Sequence, residues 1–91
     1  MLPIVWRARA RENLAEIIRY IARHDPAAAR RIKTLIEQAV VPLAEHPYLF
    51  RSGRVAGTRE VVAHPNYIVV YQVATDRIEV VQGLHARQRY P

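Results

Sequence analysis

The sequence predicts an α+β domain in which an N-terminal strand precedes an antiparallel helical hairpin packed on a small antiparallel sheet, in the order βααβββ. Two observations predict this class. Apolar residues recur at helical spacing in two neighbouring stretches of the N-terminal half. The C-terminal half instead holds short stretches rich in valine, isoleucine and tyrosine, separated by turn signals. Since domains usually need roughly 50–200 residues, we expect a single domain over residues 1–91.

A short N-terminal strand is predicted because Leu2, Ile4 and Trp6 alternate with other positions. Pro3 places this strand at the edge of a sheet, or makes Pro3 the start of the strand, because proline has no backbone N–H to donate.

Two amphipathic helices follow. The first is predicted over residues 9–23, with an apolar stripe of Leu14, Ile17, Ile18 and Ile21. Asp25 is a good N-cap and Pro26 a good first residue for the second helix. Its stripe consists of Ile32, Leu35, Ile36, Ala39, Val40 and Leu43. Pro42 predicts a kink or an early end, and the short break between the helices predicts an antiparallel hairpin.

Three antiparallel strands are predicted in the C-terminal half, after a connection over residues 46–57. They cover residues 59–63, 67–73 and 77–85, with turns at 64–66 and 75–76. Strands joined by such short turns must run antiparallel.

The predicted strands are apolar on both faces. Tyr67, Val69, Tyr71 and Val73 alternate onto one face of the middle strand, but Ile68 and Val70 lie on the other. In the last strand we expect one face to hold Ile78, Val80 and Leu84, with Val81 opposite. Two helices can cover only one face well, so a protein partner is a natural candidate to cover the second. A small domain that simply exposes some valines is the alternative.

The composition is basic, with 14 Lys and Arg against 8 Asp and Glu and a formal net charge of +6. All of these cations except Lys33 are arginines, which bind phosphate and carboxylate groups in bidentate fashion. Nucleic acid and an acidic protein segment both fit this charge, and composition does not choose between them.

Because there are no cysteines, disulfides and thiolate metal sites are excluded. The longest apolar run is too short for a membrane helix, and no signal peptide is recognisable, so we expect a cytoplasmic protein.

We expect neither a metal nor a cofactor. The histidines, His24, His46, His64 and His85, show none of the spacings used by metal ligands. Residues 53–57 contain two glycines but are too short for a phosphate-binding loop and are not followed by a helix.

One set of polar residues could carry chemistry. The C-terminal stretch gathers His85, Arg87, Arg89 and Tyr90, and the predicted sheet brings Arg54, Arg59, Glu60, His64 and Tyr67 near them. Metal-independent RNA cleavage needs a base, an acid and cations that stabilise the phosphorane. From spacing alone, a basic solvated tail is the favoured interpretation.

Nearly the whole chain resembles toxins of the RelE/ParE superfamily of type II toxin–antitoxin systems. The resemblance is carried, in the family's order, by residues 13–14, 17–22, 43–47, 54–55, 57–71, 81 and 84–87. Residues 54–55 and 57–71 together are the most specific stretch, and the chain is most similar to ParE-like plasmid-stabilisation toxins. The family fold that this implies, a strand, two helices and a sheet, agrees with the pattern described above.

The resemblance also implies two alternative activities. RelE-like members cleave mRNA in the ribosomal A site, whereas ParE-like members poison DNA gyrase without being nucleases. Arg87 matches the arginine that follows the last strand of RelE, and Tyr90 stands near its C-terminal tyrosine. RelE has an arginine where this chain has Ile68, and lysines for which Arg54 and Arg59 are the nearest cations. These departures favour the ParE activity.

Two sets of site residues follow from the resemblance. The expected target-binding residues are Arg59, His64, Tyr67, His85, Arg87 and Arg89. The alternative ribonuclease set is Glu60, His85, Arg87 and Tyr90. The expected partners are an acidic antitoxin that wraps the helix hairpin and sheet, DNA gyrase or alternatively the ribosome and mRNA, and operator DNA only through the antitoxin, with no membrane. A third hypothesis is a binding module that has lost toxicity.

Overall fold

The computed structural model describes residues 1–89 and confirms the α+β class. Its strands are β1 (Ile4–Trp6), β2 (Arg51–Ser52), β3 (Arg59–His64), β4 (Tyr67–Val73) and β5 (Ile78–His85). Its helices are α1 (Ala8–Ala22), α2 (Pro26–Ala39) and a short 3₁₀ helix (Val41–Ala44).

The helical hairpin forms where the sequence predicts it. The Asp25 carboxylate accepts a hydrogen bond of 3.0 Å from the backbone N–H of Ala28, and Pro26 opens α2. These two residues supply the cap and the preset φ that start a helix. Near Pro42 the α-helix gives way to the 3₁₀ helix, because proline has no N–H for the α-helical bond.

The sheet has five strands in the order β1-β5-β4-β3-β2 and is mixed. The expectation of a purely antiparallel sheet is wrong for β1, which pairs parallel with β5. The reason is the crossover: the chain leaves β1, passes through both helices to the opposite edge, and returns to β1 by way of β3, β4 and β5. The two-residue strand β2 lies within the stretch that the sequence predicts to be a connection.

A bulge in β5 corrects the expected alternation of its side chains. Tyr71 pairs with Val80 but Val70 pairs with Gln82, so Val81 is an extra residue without a partner on β4. Beyond the bulge, even-numbered residues of β5 lie on the opposite face of the sheet from even-numbered residues before it. Leu84 pairs with Ile68 and lies on the face opposite to Val80, not on the same face as expected.

The hydrophobic core lies between the helices and one face of the sheet, which we call the helix-covered face. Its buried members are Ala10, Ile36, Val40, Leu43, Val61, Val69, Tyr71, Ile78 and Val80. Tyr71 is fully buried, and its hydroxyl donates a 2.9 Å hydrogen bond to the carbonyl of Pro47. Burial raises the pKa of Tyr71, so this donor keeps its proton. The bond fixes the connection after the 3₁₀ helix against the sheet.

An ion-pair network ties β1 to β5. Glu79 accepts hydrogen bonds from Arg7 Nε at 2.8 Å and from Arg77 Nε at 2.7 Å. Arg7 also donates from its backbone N–H to the carbonyl of Val80 at 2.9 Å. Hydrogen bonding to Arg7 holds the pKa of Glu79 below its usual value. The short parallel strand β1 is therefore held at its edge by charge as well as by its three ladder residues.

This network predicts an acid-sensitive part of the stability. Because the folded-state pKa of Glu79 is lowered, its stabilisation is present above the unfolded-state pKa of about 4.5 and is lost as the pH falls through the lower folded-state value. We expect Glu79→Gln to lower the free energy of unfolding at pH 7, and the difference from wild type to shrink below pH 4.5. Urea denaturation at a series of pH values measures this. Glu12→Gln, which removes a carboxylate without an ionic partner among residues 1–89, is the control. At pH 3 the solution is about one unit or more below the usual pKa of a glutamate. If the difference in unfolding free energy between wild type and Glu79→Gln were still unchanged at that pH, the lowered pKa of Glu79 would be contradicted.

Candidate functional site: an aromatic and basic surface at one end of the sheet

Three predicted site residues meet at one end of the helix-covered face. Tyr67, the first residue of β4, pairs with His64 on β3 and with His85 on β5. Its ring centroid lies 5.7 Å from that of His64 and 5.5 Å from that of His85. We call these residues the His–Tyr–His row. Two register shifts bring the row together. Without the bulge at Val81, Tyr67 would pair with Leu84 and His85 would turn to the opposite face. Without the shift between Val62 and His64 on β3, Tyr67 would pair with Ala63.

Local hydrogen bonds fix both imidazoles in one tautomer. His64 Nδ1 accepts from the backbone N–H of Asn66 at 3.0 Å, and His85 Nδ1 accepts from that of Arg87 at 3.1 Å. A ring nitrogen that accepts a hydrogen bond carries no proton, so each neutral ring bears its proton on Nε2. The hydrogen-bond network therefore assigns a donor, and not a base, to the free edge of each ring.

A pocket of about 370 Å³ lies between this row and α1. Its lining consists of Glu16, Ile17, Tyr20, Tyr67 and His85. Within residues 1–89, the Glu16 carboxylate and the hydroxyls of Tyr20 and Tyr67 have no hydrogen-bond or ionic partner. Sequence reasoning missed Glu16 and Tyr20. Their i,i+4 spacing places them on one helix face, but nothing in the sequence says that this face meets the end of β5.

The expected target-binding residues divide into two regions. Arg87 and Arg89 follow the row with exposed side chains, and neither guanidinium forms an ion pair within the described residues. Arg59 lies at the far end of β3, about 16 Å from His64 at 3.3 Å per residue. There its guanidinium donates to the carbonyl of Phe50 at 2.8 Å and lies 4.9 Å from the ring centroid of Tyr48. Arg59 thus belongs to a different end of the sheet.

The alternative ribonuclease set is not brought together. Glu60 is 3% exposed; it accepts from Arg51 at 3.1 Å and from the backbone N–H of Arg54 at 3.3 Å. Glu60 pairs with Val70 and His85 with Tyr67, so they lie two strands and three residues apart, roughly 14 Å. Their side chains also point to opposite faces. His85 and Arg87 are neighbours, and Tyr90 lies outside the described residues.

The sheet face opposite the helices carries a buried apolar strip beside the Arg51–Glu60 ion pair. Ile68, Val70 and Leu84 are 5%, 1% and 2% exposed and share this face by their pairing. Ile68 occupies the position at which the resemblance to RelE places an arginine. Beside the strip, Val62 lies in the part of β3 that does not pair with β2, and its side chain is 51% exposed.

A second concave surface runs along the helical hairpin, which we call the hairpin groove, with a volume of about 510 Å³. Its floor is apolar and consists of Trp6, Leu14, Ala15 and Ile18. Its rim carries Arg11, Arg19 and Lys33, with Glu37 bound to Lys33 at 3.1 Å. An apolar floor with a mainly cationic rim is complementary to an acidic amphipathic segment.

Neither a metal site nor a membrane span is found within residues 1–89. No group of three or more histidine, aspartate or glutamate side chains is placed so that it could hold a metal ion. Neither helix is both long enough and apolar enough to cross a bilayer.

The sequence of the chain is similar to those of known proteins. Residues 4–90 match the sequence model of the ParE toxin of the type II toxin–antitoxin system parDE. The Y4kP protein of Sinorhizobium fredii is 43% identical over 97% of this chain and 92% of its own length. Toxin RelE2 of Caulobacter vibrioides is 36% identical over 94% of this chain and 97% of its own length.

The fold is shared with a solved structure of the chromosomal ParDE system from P. aeruginosa. The TM-score is 0.84 with 19% identity, over 93% of this chain and 96% of the other. Because the family model covers nearly all of the chain, as do the two relatives, the chain belongs to the ParE toxins of the RelE/ParE superfamily, the toxin components of type II toxin–antitoxin systems.

Proposed function

We propose that this toxin arrests growth in the cytoplasm by binding DNA gyrase, without cleaving RNA, and that its antitoxin neutralises it by direct binding. The target contacts the surface around the His–Tyr–His row, with the exposed cations Arg87 and Arg89 beside it. Arg59 supplies a second contact region at the far end of β3.

The observation that carries this proposal is the separation of the acid–base groups. An RNA 2′-hydroxyl must lie within hydrogen-bond reach of its base, about 2.6–3.2 Å. Glu60, roughly 14 Å from His85 by strand geometry, is already occupied by Arg51 and the N–H of Arg54. His85 offers a donor at Nε2, because its Nδ1 lone pair is used by the N–H of Arg87. Glu60 and His85 therefore do not face one phosphate, and the described members of the alternative ribonuclease set do not form a base–acid pair.

The apolar strip supports the same proposal. A phosphorane needs fixed positive charge beside it, and Ile68, buried between Val70 and Leu84, provides none. Tight aliphatic packing suits a structural role or contact with protein more than contact with a phosphodiester.

The hairpin groove supports antitoxin binding. An acidic helix could lay its apolar side on Trp6, Leu14 and Ile18, while its carboxylates meet Arg11 and Arg19 on the rim. The net charge of +6 favours association with such a partner by steering.

A second candidate is ribosome-dependent mRNA cleavage. It is favoured by the 36% identity to a protein named toxin RelE2 and by the adjacency of His85 and Arg87. In this alternative Tyr90 would complete the set from outside the described residues.

Expression of the chain without antitoxin separates these candidates. Growth, plasmid supercoiling and mRNA integrity are followed together after induction. We expect arrest with altered supercoiling, DNA damage and intact mRNA. Codon-phased cuts in mRNA would show that the chain is a ribonuclease. Growth without arrest would support the hypothesis of a partner-binding module that has lost toxicity.

Arg87→Ala tests the target surface. Loss of an interface arginine commonly costs about 1–2 kcal/mol, so we expect the concentration needed to inhibit gyrase supercoiling to rise about tenfold. The Arg87 side chain is exposed, so the unfolding free energy should change by less than about 0.5 kcal/mol. Arg31→Ala on α2 is the matched control. Equal inhibition by wild type and Arg87→Ala would remove Arg87 from the surface.

Arg19→Glu tests the hairpin groove. Reversal of a rim charge opposite an acidic segment should weaken antitoxin binding about tenfold, with a smaller effect at high salt. Arg23→Glu introduces the same charge change just past the end of the same helix, outside the groove. Titration calorimetry with the antitoxin peptide measures both variants. If they weaken binding equally, net charge alone is responsible and the groove is not the antitoxin site.

A further inference from the structure

We propose that the pocket between α1 and the His–Tyr–His row receives the side chain of an arginine or lysine presented by the protein target. This inference rests on the proposed function, because it assigns a chemistry to the target surface. It names a cation-binding site on a chain whose overall charge is +6.

The lining of the pocket suits a long cationic side chain. Ile17 and the rings of Tyr20 and Tyr67 form an apolar wall, against which the aliphatic stem of lysine or arginine can pack. The faces of tyrosine rings attract cations, most strongly where solvent is partly excluded. Tyr67 is half-buried, and its ring is held by an imidazole on each side, so one face of the wall is rigid.

The charge of the lining has the required sign. Glu16 is its one carboxylate, and neither an arginine nor a lysine belongs to the lining. His85 Nδ1 accepts the backbone N–H of Arg87. The neighbouring cation Arg19 lies three residues from Glu16 but lines the hairpin groove instead. The lining itself therefore offers an entering cation one negative charge and no arginine or lysine.

The carboxylate of Glu16 is also available to bind a cation. The carboxylates of Glu37, Glu60, Asp76 and Glu79 are each held by a lysine or arginine, and Asp25 caps α2. Glu16 has no such partner within residues 1–89, nor do the hydroxyls of Tyr20 and Tyr67, which can also accept hydrogen bonds. A guanidinium or ammonium group would satisfy these acceptors.

The test uses two matched probes and the full chain. Nα-acetyl-arginine methylamide carries the cation, and Nα-acetyl-citrulline methylamide has the same shape without the charge. Backbone amide shifts are followed by NMR during titration with each probe. We expect millimolar binding of the arginine probe, with shifts at residues 16–20, 67 and 85, and at least about fivefold weaker binding of the citrulline probe.

Glu16→Gln and Glu12→Gln form the variant pair. Both remove one negative charge from α1, but Glu12 lies one turn away and does not line the pocket. We expect Glu16→Gln to weaken the arginine probe about fivefold and Glu12→Gln to leave it unchanged. Equal binding of the two probes, an equal effect of the two variants, or shifts elsewhere on the chain would overturn the proposal.

A nucleotide probe and a gyrase assay complete the test. Guanosine 5′-monophosphate can stack on tyrosine and offer its donor edge to a carboxylate; if it bound at these amides more tightly than the arginine probe, the site would be assigned to nucleotides and the proposal rejected.

The same variant pair in a gyrase supercoiling assay should show weaker inhibition by Glu16→Gln alone. If the wild-type chain does not inhibit gyrase, the proposed function fails, whereas the titrations still decide whether the pocket binds a cation.

Discussion

The extra residue in β5 is the constraint on which the site depends. With Val81 unpaired, His85 lies beside Tyr67 on the helix-covered face, and Leu84 lies beside Ile68 on the opposite one. Removal of this offset would exchange the two residues between faces, since a shift of one residue reverses every side chain that follows. This bulge thus decides which face of the sheet carries His85 and which carries Leu84.

The rest of the architecture holds this strand in place. The core around Tyr71 fixes the first half of β5 against β4, and the Arg7–Glu79–Arg77 network fixes β1 against β5. On the helical side, the Asn13 side chain accepts a 3.1 Å hydrogen bond from the backbone N–H of Gly83, just past the bulge. This contact sets α1 against the C-terminal end of β5. Glu16 and Tyr20, on the following turns of α1, therefore reach the pocket beside His85.

Much of the fold follows from local signals in the sequence, and most of the site does not. The Asp25–Pro26 start of α2 and the turns between β3, β4 and β5 depend on residues close in sequence, so pattern reasoning finds them. The parallel pairing of β1 depends on the path of the whole chain. The bulge depends on a register that no short-range pattern encodes, because Val80 and Val81 are both good strand residues. For that reason the sequence pattern predicts the wrong face for Leu84 and does not indicate how far Glu60 lies from His85.

The most direct measurement of the central claim places the purified chain in two assays side by side: negative supercoiling by DNA gyrase, and cleavage of mRNA on translating ribosomes. Non-catalytic action predicts inhibition of supercoiling with a stoichiometric dependence on toxin, and intact mRNA at the same concentrations. Catalytic turnover of mRNA, with supercoiling unaffected, would contradict it, and would mean that His85 and Arg87 work in a nuclease site despite the distance of Glu60.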